Sequence, residues 1–304
     1  MASPGELRRL DAAITGVLEA LRITERDHSL APIDKKCAKA LRAGFKAQGK
    51  AFLKALATIK HEFPDPLTQE AGRRRRLRES VSSSWQPVFD SATDASEQLF
   101  VEALDEASAA AMATGGMQAI ATLGVGGSFD LASPAAQRYL ENHAAELVSG
   151  IDEVTRAKVA RIITDGINEG LSYEKIAGLL RDLYDGFSEY EPQAHIRDRA
   201  ELISTYETAS AYEAGAAASV QDIIDQGIDI EKSWLTVGDD AVDEDCQGNE
   251  DQGWVAFDET FDSGDDTPPA HPGCRCTTLY QRAPGADDTG QAEAAPEEEG
   301  PAGE

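Results

Sequence analysis

Apolar residues return at spacings of three and four through most of this chain, the period of helices that bury one face. Over residues 5–28 the row is Leu7, Leu10, Ile14, Leu18 and Leu21. Pro32 interrupts it, and Asp34 is placed to cap the next segment. Between Lys35 and Lys60 the row resumes as Leu41, Phe45, Phe52, Leu56 and Ile59, with Gln48 completing it. Residues 86–123 are Ala-rich, with Val88, Leu99, Leu104 and Met112 as their apolar contacts. Gly115-Gly116 and the run Gly124-Val125-Gly126-Gly127 read as breaks. Ser133-Pro134 is a helix start, since the serine hydroxyl accepts from a free amide and proline at the first helical position loses no bond. That helix lines up Leu140, Ala144, Leu147, Ile151 and Val154. A second segment, Val159, Ile162, Ile163 and Ile167, ends at Gly170. Ser172 caps a helix that buries Ile176, Leu179, Leu180 and Leu183 and stops at Gly186. His195 to about Gly215 forms another, with Ala209, Ala211 and Ala214 small enough for close packing.

After Asp229 the period changes. Residues 230–237, 253–257 and 276–282 are short β-prone runs between Asp- and Gly-rich turns, which predicts a small antiparallel sheet. Trp234 is its expected core anchor and Trp254 the cover of its edge. The fold class is therefore α+β, mostly α: a helical N-terminal region and a helical bundle, then a small antiparallel sheet with a Cys/His-pinned loop. The expected divisions are a helical region over 1–125, a second domain over 126–282, and a disordered acidic tail over 283–304 that offers no apolar face.

Charge alters this picture at one end. The net charge is −27, yet residues 1–80 hold 17 Lys plus Arg against 10 Asp plus Glu, a balance of +7 that leaves −34 for the rest. Lys35, Lys39, Arg42, Lys46, Lys50 and Lys54 run as a cationic stripe beside the apolar row, and Arg73, Arg74, Arg75 and Arg76 form a second basic cluster. Such faces meet phosphates, an anionic surface or an acidic protein, or simply face water. With no interleaved aromatics, any DNA contact would be independent of sequence. No stretch is apolar enough to span a membrane, and the N-terminus lacks the apolar core of a secretion signal.

Three of the four cysteines fall between Trp234 and Tyr280. His271-Pro272-Gly273-Cys274-Arg275-Cys276 puts two thiols and an imidazole within six residues, and Cys246 stands upstream across a loop. Cys246, His271, Cys274 and Cys276 are a candidate structural zinc set, since four protein ligands leave no open position for water. The alternatives are a disulfide from Cys246 or free thiols. A metal or a cross-link would pin a loop that is costly to order.

Lys232-Ser233-Trp234-Leu235-Thr236, Gly238-Asp239-Asp240, Cys246, Phe257, Phe261 and Pro268-Pro269-Ala270-His271-Pro272-Gly273-Cys274-Arg275-Cys276 together resemble the phage Mu F-like head morphogenesis, or minor head protein, family. Phe129-Asp130-Leu131, Ser133-Pro134, Gly170-Leu171-Ser172, Arg199-Ala200-Glu201-Leu202-Ile203, Glu207 and Gly215 follow the same order upstream. The resemblance spans about residues 125–280 and extends more loosely over 35–125. In two places the chain departs from it. Many relatives have Cys-x-x-Cys where this chain reads Asp243-Glu244-Asp245-Cys246, and Arg-Thr-Glu where it reads Thr205-Tyr206-Glu207. Trp234, Asp239, Asp240, Pro268, Pro269, Arg275, Arg199 and Glu207 are the motif positions that the resemblance carries over.

The resemblance implies a low-copy, non-enzymatic head component. It would work with the portal, capsid and scaffold proteins, touch DNA without sequence preference, and pass from the host cytoplasm into the procapsid and virion head. Two other readings stand beside it: a zinc-stabilised protein-binding module, and an enzyme using Glu207 with Asp239 or Asp240. The phosphate-loop, serine-elbow, zinc-protease and zinc-deaminase signatures are all absent from the sequence. Glu207 by itself reads as a helical charge facing solvent, or else as a carboxylate bonding to Gly238-Asp239-Asp240.

Overall fold

The structure is a computed structural model that describes residues 4–63, 71–187 and 199–284; within these, the side chains of 4–16, 19, 71–80, 82, 83, 142 and 145 are not described. The element order is α1 (Pro4–Leu56), a short 3-10 turn (Ala57–Glu62), α2 (Ala71–Leu123), α3 (Pro134–Asn168), α4 (Tyr173–Gly186), α5 (Arg199–Ile224), β1 (Ile230–Leu235), α6 (Glu244–Asp251), β2 (Val255–Ala256) and β3 (Thr277–Arg282). The fold is mostly helical with one three-stranded antiparallel sheet, as the sequence pattern predicts.

The helices are longer than the breaks in the sequence suggest. Pro32 sits inside α1 and Pro87 inside α2, although each removes a helical hydrogen bond at a cost of about 3 kcal/mol. Packing offsets that cost. On α1, Leu41, Phe45, Gln48, Phe52 and Leu56 are all fully buried, with Ile59 packed against them. They meet Trp85, Phe89, Phe100 and Leu104 of α2, Ile163 and Ile167 of α3, and Ile176, Leu180 and Tyr184 of α4 in one cluster. That core includes residues on both sides of Gly126. Asp34 caps nothing: its carboxylate accepts from Thr208 on α5, and its carbonyl from Ser204 at 2.9 Å.

Gly115-Gly116 does not end α2 either. A Cβ on Gly115 would lie 1.9 Å from the Tyr212 carbonyl oxygen, and one on Gly215 would lie 2.0 Å from that of Met112. The glycines are where α2 and α5 touch backbone to backbone. The helix stops instead at Leu123, where Gly124 has φ +64° and Val125 N bonds Ile120 O at 3.4 Å, the reach-back of a glycine-terminated helix.

Ser133 caps α3 through Ala136 N at 3.3 Å, and Ser172 caps α4 through Lys175 N at 3.4 Å. The two segments expected between Pro134 and Gly170 form one helix. Leu99, Val154 and Leu179, expected on buried faces, are 42–48% exposed.

In the sheet β1 is central, in the order β2-β1-β3, with Trp234 opposite Thr278. Trp234 is 1% exposed against Phe261, whereas Trp254 is 42% exposed. The run before Cys246 is a helix and not a turn: Asp243 caps α6 by accepting from Asp245 N at 3.0 Å. An aspartate cap followed by an acidic first turn was the available sign. Nearly all of the acidic tail lies outside the described residues.

Candidate metal centre and its supports

His271-Pro272-Gly273-Cys274 has the composition of a type II turn, with proline second and a third residue that must accept positive φ. Gly273 has φ +87°, and Cys274 N bonds the His271 carbonyl at 3.0 Å. The turn brings imidazole and thiol to the same side, and the first turn of α6 delivers Cys246 to meet them. Cys246 Sγ lies 3.6 Å from His271 Nε2 and 3.8 Å from Cys274 Sγ, and the three donors lie within 4.8 Å of one another.

These spacings test the fit of a metal. Tetrahedral zinc at its usual bond lengths separates two sulfurs by about 3.8 Å, and sulfur from nitrogen by about 3.6 Å. The two spacings from Cys246 therefore already match edges of such a tetrahedron. His271 Nδ1 is 3.2 Å from the Pro272 carbonyl, which holds the proton on Nδ1 and leaves the Nε2 lone pair toward the sulfurs.

Cys276 is buried in the same cluster but is not among the three mutually close donors. The proximity of the Cys276 thiol holds the Cys274 thiol well below the ordinary range, and the same pairing together with burial pushes Cys276 up. Burial pushes the Cys246 thiol up. Trp234 Nε1 is buried without a hydrogen-bond partner, and its N–H favours a thiolate at Cys276. An orphaned donor beside a sulfur suits a centre whose thiols are deprotonated by a cation. All four cysteines are free in the structure.

The supports are specific. Arg275 Nη2 donates to Asp239 at 2.7 Å, and Asp239 also accepts from Ala241 N at 3.1 Å, which fixes the loop after β1. Asp240 is exposed. Pro268 and Pro269 are joined by a cis bond ahead of the turn. Glu250 of α6 takes Thr236 N and Oγ1, both at 2.8 Å, and buried Asn249 exchanges two bonds with Ser263. The Cys276 and Arg275 carbonyls accept from Arg26 of α1, and Glu213 of α5 accepts from Thr277 and Thr278. Sequence reasoning missed Arg26 and Glu213. Arg26 looks like any helical charge, whereas Glu213 is a lone carboxylate in an Ala- and Gly-rich run, a sign that was available.

The remaining motif positions lie apart from this centre. Glu207 is 4% exposed, and its partner is His143 of α3 at 2.9 Å, so it neither faces solvent nor depends on the loop at Gly238. Arg199 donates to Thr155 Oγ1 and the Ile151 carbonyl and lies over Phe45 and Phe187. Lys35, Lys39, Lys46, Lys50 and Lys54 are exposed along α1, and Arg42 is half-buried, 3.9 Å from Glu201. Arg73, Arg74, Arg75 and Arg76 lie at the start of α2, and their side chains are outside the described residues.

Residues 157–279 match the family model described as Phage Mu protein F like protein. This part of the chain is similar to that family. The matched segment begins inside α3 and takes in α4, α5, β1, α6, β2 and the first half of β3, so every donor of the Cys/His centre falls within it. Comparisons with curated proteins and with solved structures give no match. No helix among the described residues is long and apolar enough to cross a membrane.

Proposed function

We propose that this chain is a phage head morphogenesis protein: a low-copy minor head component that acts with the portal, beside capsid and scaffold proteins, in building the procapsid. The observation that carries the reading is the Mu F-like match, whose bounds enclose the entire Cys/His centre. The role is structural and not enzymatic. Cys246, His271 and Cys274, with Cys276 as the fourth ligand, hold one zinc ion, and a closed set of four protein ligands gives zinc a structural use. Zinc would supply fixed tetrahedral geometry to the loop between β2 and β3. The residues themselves orient the imidazole, lower one thiol and exclude water. The chain works in the host cytoplasm during assembly and stays in the virion head.

The lysine row of α1 is the surface assigned to the portal or to packaged DNA during packaging or ejection, with Arg73, Arg74, Arg75 and Arg76 extending it. Phosphate contacts of this kind weaken steeply as salt rises. Quantitative mass spectrometry of purified procapsids and mature particles should find a few copies of the chain in both. Absence from both would overturn the head reading. Replacing Lys35, Lys39, Lys46, Lys50 and Lys54 together with Gln should abolish portal or DNA binding and leave the fold intact. Unchanged binding would remove that surface from the reading.

A further inference from the structure

The side chain that grips the Cys-Arg-Cys run comes from the far end of the sequence. Arg26 of α1 is 6% exposed; its Nη2 donates to the Arg275 carbonyl at 3.0 Å, and its Nη1 donates to the Cys276 carbonyl. These carbonyls belong to the residue between the two cysteines and to the second cysteine itself. One step further on, Glu213 takes Thr277 Oγ1 at 2.6 Å and Thr278 N at 3.2 Å. Residues 274–278 are thus held by thiols on one side and by α1 and α5 on the other. Arg26 also marks the point where α1 meets the sheet. Leu30 beyond it is buried with Ala111, Ala211 and Tyr212, while Val17, Leu18 and Leu21 before it are 50–60% exposed.

We propose that Arg26 is a positioning residue that couples metal occupancy of the Cys/His centre to the seating of α1 on the sheet. The proposal rests on the metal reading given above. A buried guanidinium that loses two carbonyl acceptors is left with an expensive deficit, so Arg26 favours the one placement of the run in which both carbonyls face it. A metal held by Cys274 and Cys276 favours a fixed placement of the same run. Two influences that select one conformation assist each other, and the assistance is reciprocal. The metal steadies α1 around Arg26, and Arg26 tightens the metal.

The test uses the full chain, with zinc and cobalt(II) as probes. The unsubstituted protein should bind one equivalent of either and give a thiolate-to-cobalt charge-transfer band. Arg26→Lys keeps the charge but replaces the fixed fork of two nitrogens with a single one, and Arg26→Ala removes charge and donors alike; each should weaken metal binding about 10- to 100-fold, the range for residues that orient ligands. Hydrogen exchange on the unsubstituted protein needs no variant, and zinc should slow it in α1 around residues 22–33. Failure of the unsubstituted protein to bind either metal overturns the metal reading and this proposal with it. Metal binding that is equally tight in Arg26→Lys, with exchange in α1 indifferent to zinc, overturns the coupling alone and leaves the metal site standing.

Discussion

The helical body and the sheet that follows it solve the same problem in different ways. In the body, α1 to α4 bury a continuous set of aromatic and aliphatic side chains, including Phe45, Phe52, Phe89 and Phe100, each fully covered. Burial of this kind is non-directional, and each large side chain contributes about 1.5–3 kcal/mol. Around the Cys/His centre the buried apolar set shrinks to Trp234 and Phe261 with three cysteines, and single polar contacts fix the geometry. The body has area to spare and can absorb two prolines. The sheet region has one or two groups for each task, so losing one releases a whole loop.

The largest effect should come from the centre itself. Cys274→Ser, or a strong chelator added to zinc-loaded protein, should unfold the loop around α6 and β2 while leaving α1 to α5 helical. Structural zinc contributes on the order of 10 kcal/mol to small folded units. Trp234 in the sheet and Trp85 in the body, both nearly fully buried, separate the two outcomes. Emission should shift to the red on metal removal with little change in far-ultraviolet dichroism. A coincident loss of helix would mean that body and sheet fold as one unit.

Next in size is a change to the body where area gives no protection. Gly115→Ala drives a methyl into the Tyr212 carbonyl, a rigid backbone group, so α2 and α5 must move apart. The expected cost is about 1–3 kcal/mol or more, read as a drop in the midpoint of chemical unfolding. An unchanged midpoint would mean that the two helices do not approach as closely as described.

These two regions were unequally legible in the sequence. The row from Leu41 to Leu56, the caps at Ser133 and Ser172 and the three strands follow local rules, and the structure agrees with them. The helix breaks expected at Pro32 and Gly115-Gly116 rest on local cost alone, and tertiary packing outweighs that cost. The Cys/His gathering was readable because a proline-glycine turn forces its geometry over four residues. Arg26 was not, since 249 and 250 residues separate it from its acceptors and nothing local marks it as buried. Glu207 was misread for a similar reason: its partner, His143, is 64 residues away on another helix.

The smallest effect sharpens the comparison at the joint between body and sheet. Glu213 is fully buried, and burial pushes its pKa up to about 7 against the pull of Arg26 and of the bonds from Thr277 and Thr278. In the unfolded chain a glutamate titrates near the ordinary value of about 4.3. The folded state therefore holds the proton more tightly, and the group's contribution is fully present below the unfolded value and lost as pH rises through about 7. Stability measured from pH 4.5 to 7.5 should carry a downward component of at most about 1.4 kcal/mol per pH unit from this one group. Glu213→Gln keeps an acceptor for Thr277 or Thr278 and cannot ionise, so the difference between the two unfolding series isolates that component from the titration of the thiols. Parallel series would mean that Glu213 is ionised throughout, compensated by Arg26 as a charge pair. In that case the joint would be held by charge, unlike the neutral packing of the body on one side of it and the thiol centre on the other.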